Sequence, residues 1–338
     1  MNKRNLRTAI AGAIGMLLLI LDGKTALKGA AEGVSLCLNT LIPSLFPFFI
    51  LSILLTGALS GQAVPILKPI ANACRVPKGA ESLLAIGLLG GYPVGAQNVA
   101  LLYRAGQLSA GQAARMITFC NNAGPAFIFG ILGSMFSDWW VPWLLWAIHI
   151  LSALIVGILL PPDPDSMPAA PFLREIRLSD ALEASVKVMA LVCGWVVLMR
   201  LVLAYLEHWI LWLLPLSLQI TICGILELAN GCVRLGEIIS EGLRFMIASG
   251  LLSLGGICVT LQTASVANGI SMKLYFPGKL LGCCVSILSS AFVQSVCFPS
   301  QMRFNSVPAL ICAIIGTLCI VSFLFSKKRG GISQLVGV

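Results

Sequence analysis

Two short stretches of this sequence place amide side chains beside glycine and proline within long apolar runs. They are residues 91–99 (GYPVGAQNV) and 119–127 (FCNNAGPAF). Asn and Gln side chains donate and accept hydrogen bonds, whereas Gly and Pro interrupt helices. An interrupted helix leaves backbone N–H groups free at the start of its second half, where the helix dipole also favours an anion. The two stretches therefore predict a cavity that binds a small polar or anionic solute. The alternative is that the amides only hold helices together and that Gly-Pro makes a kink.

A carboxylate within an apolar run is the second candidate for chemistry. Glu227 lies in CGILELANG, and Asn230 follows it one turn later on the same helical face. An acid inside a membrane is costly, so by default it has a function, such as binding a proton, a cation or a buried base. Arg200, in VVLMRLVLAY, is the candidate partner. The alternatives are a structural Glu227–Arg200 ion pair, or an Arg200 side chain that reaches a membrane interface.

The predicted solute-binding residues combine these groups with the glycines and the glutamine of a second G-G stretch. They are Gly91, Tyr92, Pro93, Gly95, Gln97, Asn98, Asn121, Asn122, Gly124, Pro125, Glu227, Asn230, Gly255, Gly256, Gln262 and Arg200. The sequence contains no nucleotide-binding P-loop, no H-E-x-x-H and no persuasive nucleophile–base pair. We therefore expect no enzymatic activity, no cofactor and no metal site.

The whole chain is too apolar for a soluble domain. Of its 338 residues, 58% are hydrophobic and 10% are charged, and the mean hydropathy is +0.96. About ten apolar runs follow one another, each close to the roughly 20 residues that span a bilayer. The predicted fold class is all-α, a polytopic helical membrane protein. The net charge of +9 fits basic cytoplasmic loops, so we expect no nucleic-acid partner.

The distribution of Lys and Arg indicates the topology. If every apolar run crosses the membrane, basic residues divide evenly between the two sides. If the two G-G segments, 81–103 and 243–268, instead enter and return, nearly all basic loop residues fall on one side, as the positive-inside rule requires. This predicts about eight spans plus two re-entrant or broken-helix hairpins, with both termini in the cytoplasm.

A Pro-rich, charged stretch divides the chain almost in half. The predicted units are a first membrane half, a linker, a second membrane half and a basic tail, at residues 1–160, 161–183, 184–326 and 327–338.

The two halves share one pattern, L-G-G-x-x-V-x-x-Q, which begins at Leu89 and again at Leu254. We therefore expect two repeated halves with the binding site at their interface, as in many transporters.

Several motifs resemble a known family. In the first half they are G-Y-P-x-G-A, L-Y-x-x-G and F-C-N-N-x-G-P, within residues 87–136. In the second half they are L-E-x-x-N-G and S-x-G-G, and I-P-S-L-F-P-F-F lies upstream of all of them. The chain resembles the sporulation integral membrane proteins of the YlbJ-like type, also called stage V sporulation protein V, over roughly residues 30–300. The motifs of the first half are those of the nucleoside-recognition or "Gate" domain.

This resemblance implies a role in endospore-forming bacteria. The family is implicated in moving dipicolinic acid from the mother cell across the outer forespore membrane. The implied partners are a small-molecule solute and the lipid bilayer, and a homo-oligomer or other sporulation membrane proteins stay open. A nucleoside or other metabolite transporter, and a structural membrane protein that transports nothing, are the alternatives. One departure matters, since the second G-G stretch lacks the Pro and the third Gly of the first.

Overall fold

The computed structural model describes residues 3–59, 64–163, 176–298 and 307–326. Within these ranges every regular element is a helix, which confirms the predicted all-α membrane fold. The predicted basic tail lies outside the described residues, as does much of the predicted linker. The assignment of the chain to two membrane halves stays a prediction.

Helices of very different length succeed one another along the chain. In order they are α1 (Lys3–Leu21), α2 (Gly23–Leu36), α3 (Ile42–Leu59), α4 (Lys68–Ala73), α5 (Ser82–Leu89), α6 (Val94–Arg104), α7 (Ala110–Phe119), α8 (Pro125–Phe127), α9 (Val141–Leu159), α10 (Leu178–Trp209), α11 (Leu216–Leu226), α12 (Leu228–Arg234), α13 (Glu241–Leu254), α14 (Gly256–Val266), α15 (Tyr275–Cys297) and α16 (Val307–Ser326). A π-helical turn joins α2 to α3, and another continues α8.

Among the described residues, five helical stretches are long and apolar enough to cross a membrane. They are Gly23–Leu59, Val141–Leu159, Leu178–Trp209, Glu241–Val266 and Tyr275–Cys297. The chain is thus an integral membrane protein with several spans. The predicted total of about eight spans stays a prediction.

The first G-G segment is a broken hairpin, as its glycines and proline predict. Helices α5 and α6 have 8 and 11 residues, about 12 and 17 Å at 1.5 Å per residue, and neither spans a hydrocarbon core of about 30 Å. A Cβ atom added at Gly87 or Gly95 would lie 2.2 or 2.0 Å from the carbonyl oxygen of Cys120. Only glycine therefore lets α5 and α6 both pack against that carbonyl.

The second G-G segment is also broken, but in a different way. Gly255 and Gly256 have positive φ angles of 74° and 79°, which interrupt the helix between α13 and α14. The two helices follow one another as a stretch of 26 residues that is long enough to cross a membrane. The predicted break is present here, in a candidate span rather than a short hairpin.

The second hairpin lies instead at Glu227, in a run that the sequence predicts as one span. Glu227 has an extended backbone (φ −142°, ψ 112°) and its carboxylate caps α12. Helices α11 and α12 pack so closely that a Cβ atom on Gly231 would lie 2.2 Å from the Cα of Gly224. The extended backbone of Glu227 ends α11, and its carboxylate caps the start of α12. Hydropathy does not reveal such competition of a side chain with the backbone hydrogen bonds of a helix.

The two G-G stretches do not occupy equivalent places in the fold. The stretch at Leu89 lies in a hairpin, whereas the stretch at Leu254 lies in a broken candidate span. The order of hairpin, broken helix and long helix occurs once from α5 to α9 and again from α11 to α15. A repeat in that register would pair Leu89 with the region of Glu227. The repetition of the halves stays a prediction.

Gly231→Ala should destabilise the protein by about 1–3 kcal/mol, because the added methyl group meets backbone atoms that have no room to move. Thermal unfolding of the purified protein in detergent measures this as a lower Tm. Gly194→Ala in α10 is the matched control, since a Cβ atom there meets nothing within 4 Å. Equal Tm values for the two variants would contradict the close α11–α12 contact.

Candidate solute-binding site

Four helix interruptions meet at one place in the fold. They lie between α5 and α6, α7 and α8, α11 and α12, and α13 and α14. The first two touch at glycine, since a Cβ atom on Gly124 would lie 2.9 Å from the Cα of Gly91. The last two touch likewise, since a Cβ atom on Gly256 would lie 2.9 Å from the carbonyl oxygen of Gly224. Small residues thus let irregular backbone be enclosed by protein, where it is tolerated at membrane depth.

Tyr92 connects the two pairs of interruptions. Its hydroxyl donates a hydrogen bond of 3.1 Å to the carbonyl oxygen of Leu252 in α13. Gly255 lies against the same side chain, since a Cβ atom added at this glycine would lie 3.1 Å from the Tyr92 hydroxyl. The tyrosine of G-Y-P therefore fixes the first hairpin to the second broken helix.

A small cavity of about 40 Å³ lies at this meeting point. Predicted residues from three of the interruptions line it, namely Gly91, Tyr92, Gly124 and Glu227, and so does Gln262 of α14, together with apolar side chains. A volume of this size holds about one water molecule and is well below the roughly 300 Å³ of small-molecule sites. A solute of that size therefore requires the cavity to widen.

The side-chain amide of Asn121 links the segments that surround the meeting point of the four interruptions. Its Oδ1 accepts a hydrogen bond from the backbone N–H of Ala96, at 3.2 Å. Its Nδ2 donates to the hydroxyls of Thr263, at 2.8 Å, and Tyr275, at 3.1 Å. Asn121 is fully buried. Its amide therefore joins α6, α14 and α15, and both of its N–H donors are already bound to protein.

Asn122 has a similar role on the other side of the same loop. Its Nδ2 donates to the carbonyl oxygens of Phe119, at 2.7 Å, and Gly87, at 3.3 Å. Its Oδ1 faces the ammonium group of Lys279, with Nζ at 3.4 Å. The second asparagine thus stabilises the interruption and presents one oxygen to a buried cation.

Lys279 is a functional candidate that the sequence motifs do not include. The charge pattern places it among the basic loop residues, but it lies in the second turn of α15 and only 3% of it is exposed. Its Nζ donates to the backbone oxygen of Asn121 and to the Tyr92 hydroxyl, the latter at 3.2 Å. The flanking Gly278 and Gly282, one turn apart on the same helix, were the signal available in the sequence. A Cβ atom on Gly278 would lie 2.0 Å from Cγ2 of Thr118, so α7 and α15 touch beside the lysine.

A chain of polar side chains continues from this cluster into α9 and α15. His149 accepts a hydrogen bond at Nε2 from the N–H of Ala123, at 3.0 Å, so its neutral ring carries the proton on Nδ1. That Nδ1–H donates to Ser253, at 3.2 Å. Ser286 bonds to both Ser253 and Ser152. Each hydroxyl has a partner, so these groups anchor α9, α13 and α15 to the Ala123 loop.

The carboxylate of Glu227 is bound by its own helix. It accepts hydrogen bonds from the backbone N–H groups of Ala229 and Asn230, at 3.1 and 2.7 Å, and from the Asn230 side chain, at 2.7 Å. The negative charge therefore neutralises the N-terminus of α12. Glu227 both lines the cavity and holds the hairpin in shape.

Arg200 lies apart from this cavity, and its ion pairs differ from the predicted one. It pairs with Glu32 of α2 and with Glu207 of α10, the latter at 2.8 Å. Glu207 also pairs with Arg234 of α12, at 3.0 Å. The predicted Glu227–Arg200 ion pair is not formed, because Glu227 takes its donors from α12 and Arg200 takes its acceptors from α2 and α10.

The other predicted residues serve the interruptions in different ways. Pro93 precedes the first residue of α6, and Pro125 is the first residue of α8. Asn98 donates back to the carbonyl oxygen of Val94 within α6. Gln97 has a buried Oε1 that no described residue pairs with, and Gln262 donates only a weak bond of 3.3 Å to Cys258 within its own helix. Among the predicted amides, those of Gln97 and Gln262 are therefore the ones least engaged by protein.

Metal binding has no obvious location in the part of the chain that the structure describes. No group of three or more His, Cys, Asp or Glu side chains is arranged there to hold a metal ion. The expected absence of a cofactor stays a prediction.

One curated relative supports the resemblance seen in the motifs. The chain is 27% identical to the sporulation integral membrane protein YlbJ of Bacillus subtilis (strain 168) over an alignment of 334 residues. The alignment covers 83% of this chain and 81% of the relative, so the similarity is not confined to one segment. No family model matches the chain, so the predicted Gate domain stays a prediction. No solved structure matches it either.

Asn121→Ala should lower the free energy of unfolding by at least about 1–3 kcal/mol, because it leaves the buried Ala96 N–H without an acceptor. Thermal or denaturant unfolding in detergent measures the loss. Asn39→Ala is the matched control, since Asn39 is exposed and its amide contacts only Ser35 of the preceding turn. A loss at Asn121 no greater than at Asn39 would show that the amide does not hold the four interruptions together.

Proposed function

The chain belongs to the YlbJ-like sporulation integral membrane proteins, and we propose that it carries a small polar anion across the membrane during spore formation. The solute that we propose is dipicolinate. The proposed location is the outer forespore membrane, with both termini in the cytoplasm. The proposal includes no catalytic step and no nucleic-acid partner.

The observation that carries this proposal is the convergence of four interrupted helices on one enclosed polar centre. Each interruption exposes backbone groups, and these cost free energy inside a membrane unless protein or a water-filled cavity satisfies them. Broken helices that meet near the middle of a bundle are the usual way in which transporters build a solute site. The cavity among Tyr92, Glu227 and Gln262 is the proposed position of that site.

Dipicolinate fits the chemistry of this centre. It is a planar aromatic ring with two carboxylates, which require hydrogen-bond donors and positive potential. The Gln262 amide lines the cavity, and Lys279 lies against Tyr92, which also lines it; these two side chains provide such groups. The apolar walls of the cavity, formed by Leu, Val and Phe side chains, suit the faces of an aromatic ring.

A nucleoside is the competing solute, because amides also bind bases and ribose hydroxyls. Its principal acceptor in this site would be Glu227. That carboxylate already accepts three hydrogen bonds from Ala229 and Asn230, which leaves it poorly placed to accept more. This favours the anion over the nucleoside.

Purified protein in proteoliposomes should take up radiolabelled dipicolinate with saturable kinetics, and excess nucleoside should not compete. Competition by nucleosides would instead indicate that the solute is a nucleoside. Protein that is folded, binds neither solute and moves neither would support a structural role in a sporulation membrane assembly instead.

Gln262→Leu should lower dipicolinate uptake about tenfold, the effect of losing one hydrogen bond of about 1.4 kcal/mol. Its stability should change little, because the amide makes only a weak bond within α14. Gln219→Leu in α11 is the matched control, since Gln219 bonds to Leu214 and does not line the cavity. Equal uptake by the two variants would place the solute elsewhere.

A further inference from the structure

We propose that Lys279 is the specificity-determining residue of this site, and that its ammonium group pairs with a carboxylate of the bound solute. This inference rests on the proposed function and deepens it, because it assigns the selection of anions to one residue that the sequence motifs do not include. It concerns the class of planar aromatic carboxylates rather than one compound.

Lys279 has no counter-charge among the residues that the structure describes. No carboxylate of the described residues lies within 4 Å of its Nζ atom, whereas each described acid–base pair at that distance involves other residues. Its three acceptors are a backbone carbonyl, an amide oxygen and a tyrosine hydroxyl. Neutral dipoles of this kind stabilise an ammonium group less than a neighbouring carboxylate would.

Two aromatic rings complete the surroundings of the ammonium group. Nζ lies 5.0 Å from the ring centroid of Tyr92 and 5.5 Å from that of Tyr275. Such rings attract a cation without neutralising it. The result is a preorganised positive centre enclosed by neutral groups, which is the arrangement expected where the counter-charge arrives with a ligand.

Lys279 also lies close to the proposed cavity. Tyr92 lines that cavity with Gln262 and Glu227, and the same tyrosine contacts Nζ through its hydroxyl at 3.2 Å. A second small space is bounded by Asn122, His149, Ser253 and Lys279. Tyr92 therefore contacts both the cavity and the ammonium group. Displacement of the Tyr92 side chain by a carboxylate of the solute would let that carboxylate reach the ammonium group.

The Glu227 carboxylate does not compete for this lysine. Its oxygens are bound at the N-terminus of α12, and it makes no ion pair with Lys279. The two opposite charges thus stay separate around one cavity, with the negative charge held by a helix terminus and the positive charge available to a ligand.

The test compares two ligands of the same shape and different charge. They are pyridine-2,6-dicarboxylate, a dianion at pH 7, and the neutral pyridine-2,6-dicarboxamide. Binding to detergent-purified protein is measured by calorimetry, with uptake into proteoliposomes alongside. Wild-type protein should bind the dianion at least tenfold more tightly. Equal or tighter binding of the diamide by the wild type would overturn the inference without any variant.

Lys279→Gln removes the charge but keeps N–H donors for Asn121 and Tyr92. It should weaken dianion binding roughly 10- to 100-fold and diamide binding much less, so that selectivity disappears. Lys187→Gln, which removes an exposed charge paired with Glu183 in α10, is the matched control and should behave as the wild type does. Undiminished selectivity in Lys279→Gln would show that the lysine is only structural.

Asn122→Asp tests the same inference in the opposite direction. It places a carboxylate where an amide oxygen now lies 3.4 Å from Nζ, so the lysine gains a counter-charge within the protein. The variant also loses the Nδ2 donor to Phe119 and Gly87, so diamide binding serves as the check that it is folded. Dianion binding should again fall at least tenfold while diamide binding persists, and unchanged dianion binding would contradict the inference. Folded wild-type protein that binds and moves neither ligand would instead remove the proposed function itself.

Discussion

The lack of water in a bilayer core constrains this structure more than any other condition, because every interrupted helix must find partners for its backbone within the protein. The Asn121 amide meets much of this demand. It accepts from the first turn of α6 and donates to the hydroxyls of α14 and α15. Around it, glycines at the interruptions let backbone approach backbone where any side chain would intrude. Four irregular segments thereby pack against one another at one centre.

Charge is distributed around this centre in an uneven way. Glu227 is neutralised by the N-terminus of α12, and Arg200 is held in a network with Glu32 and Glu207 at the α2–α10 contact. The charges of both groups are therefore offset within the protein, and their assignment to solute binding stays a prediction. Lys279 differs from them, because its partners in the described part of the chain are neutral dipoles and aromatic rings. The arrangement leaves this lysine without a counter-charge among the described residues and beside a small cavity, which suits the proposed recognition of an anion.

The asparagines of F-C-N-N-x-G-P differ from Gln262 in how far protein engages their amides. Asn121 and Asn122 engage protein with their donors, whereas Gln262 faces the cavity with little engagement. The asparagines are predicted from sequence because amides beside Gly-Pro indicate a broken helix. That inference about the backbone is confirmed, since loop residues separate α7 from α8. The assignment of the amides to solute binding depends on contacts between distant segments, which the local pattern does not contain.

Composition and local pattern by themselves determined the all-α membrane fold and the interruptions at residues 90–93, 120–124 and 255–256, because hydropathy and the backbone limits of Gly and Pro act within a few residues. Only the tertiary structure decided that the apolar run containing Glu227 folds back at this residue, since an acid that caps a helix and an acid that meets a distant base look alike in sequence. It also decided that Lys279 is buried rather than in a loop. Its position in the second turn of an apolar helix suits either environment, and the choice depends on whether α7 and α15 approach closely at Gly278 and Thr118.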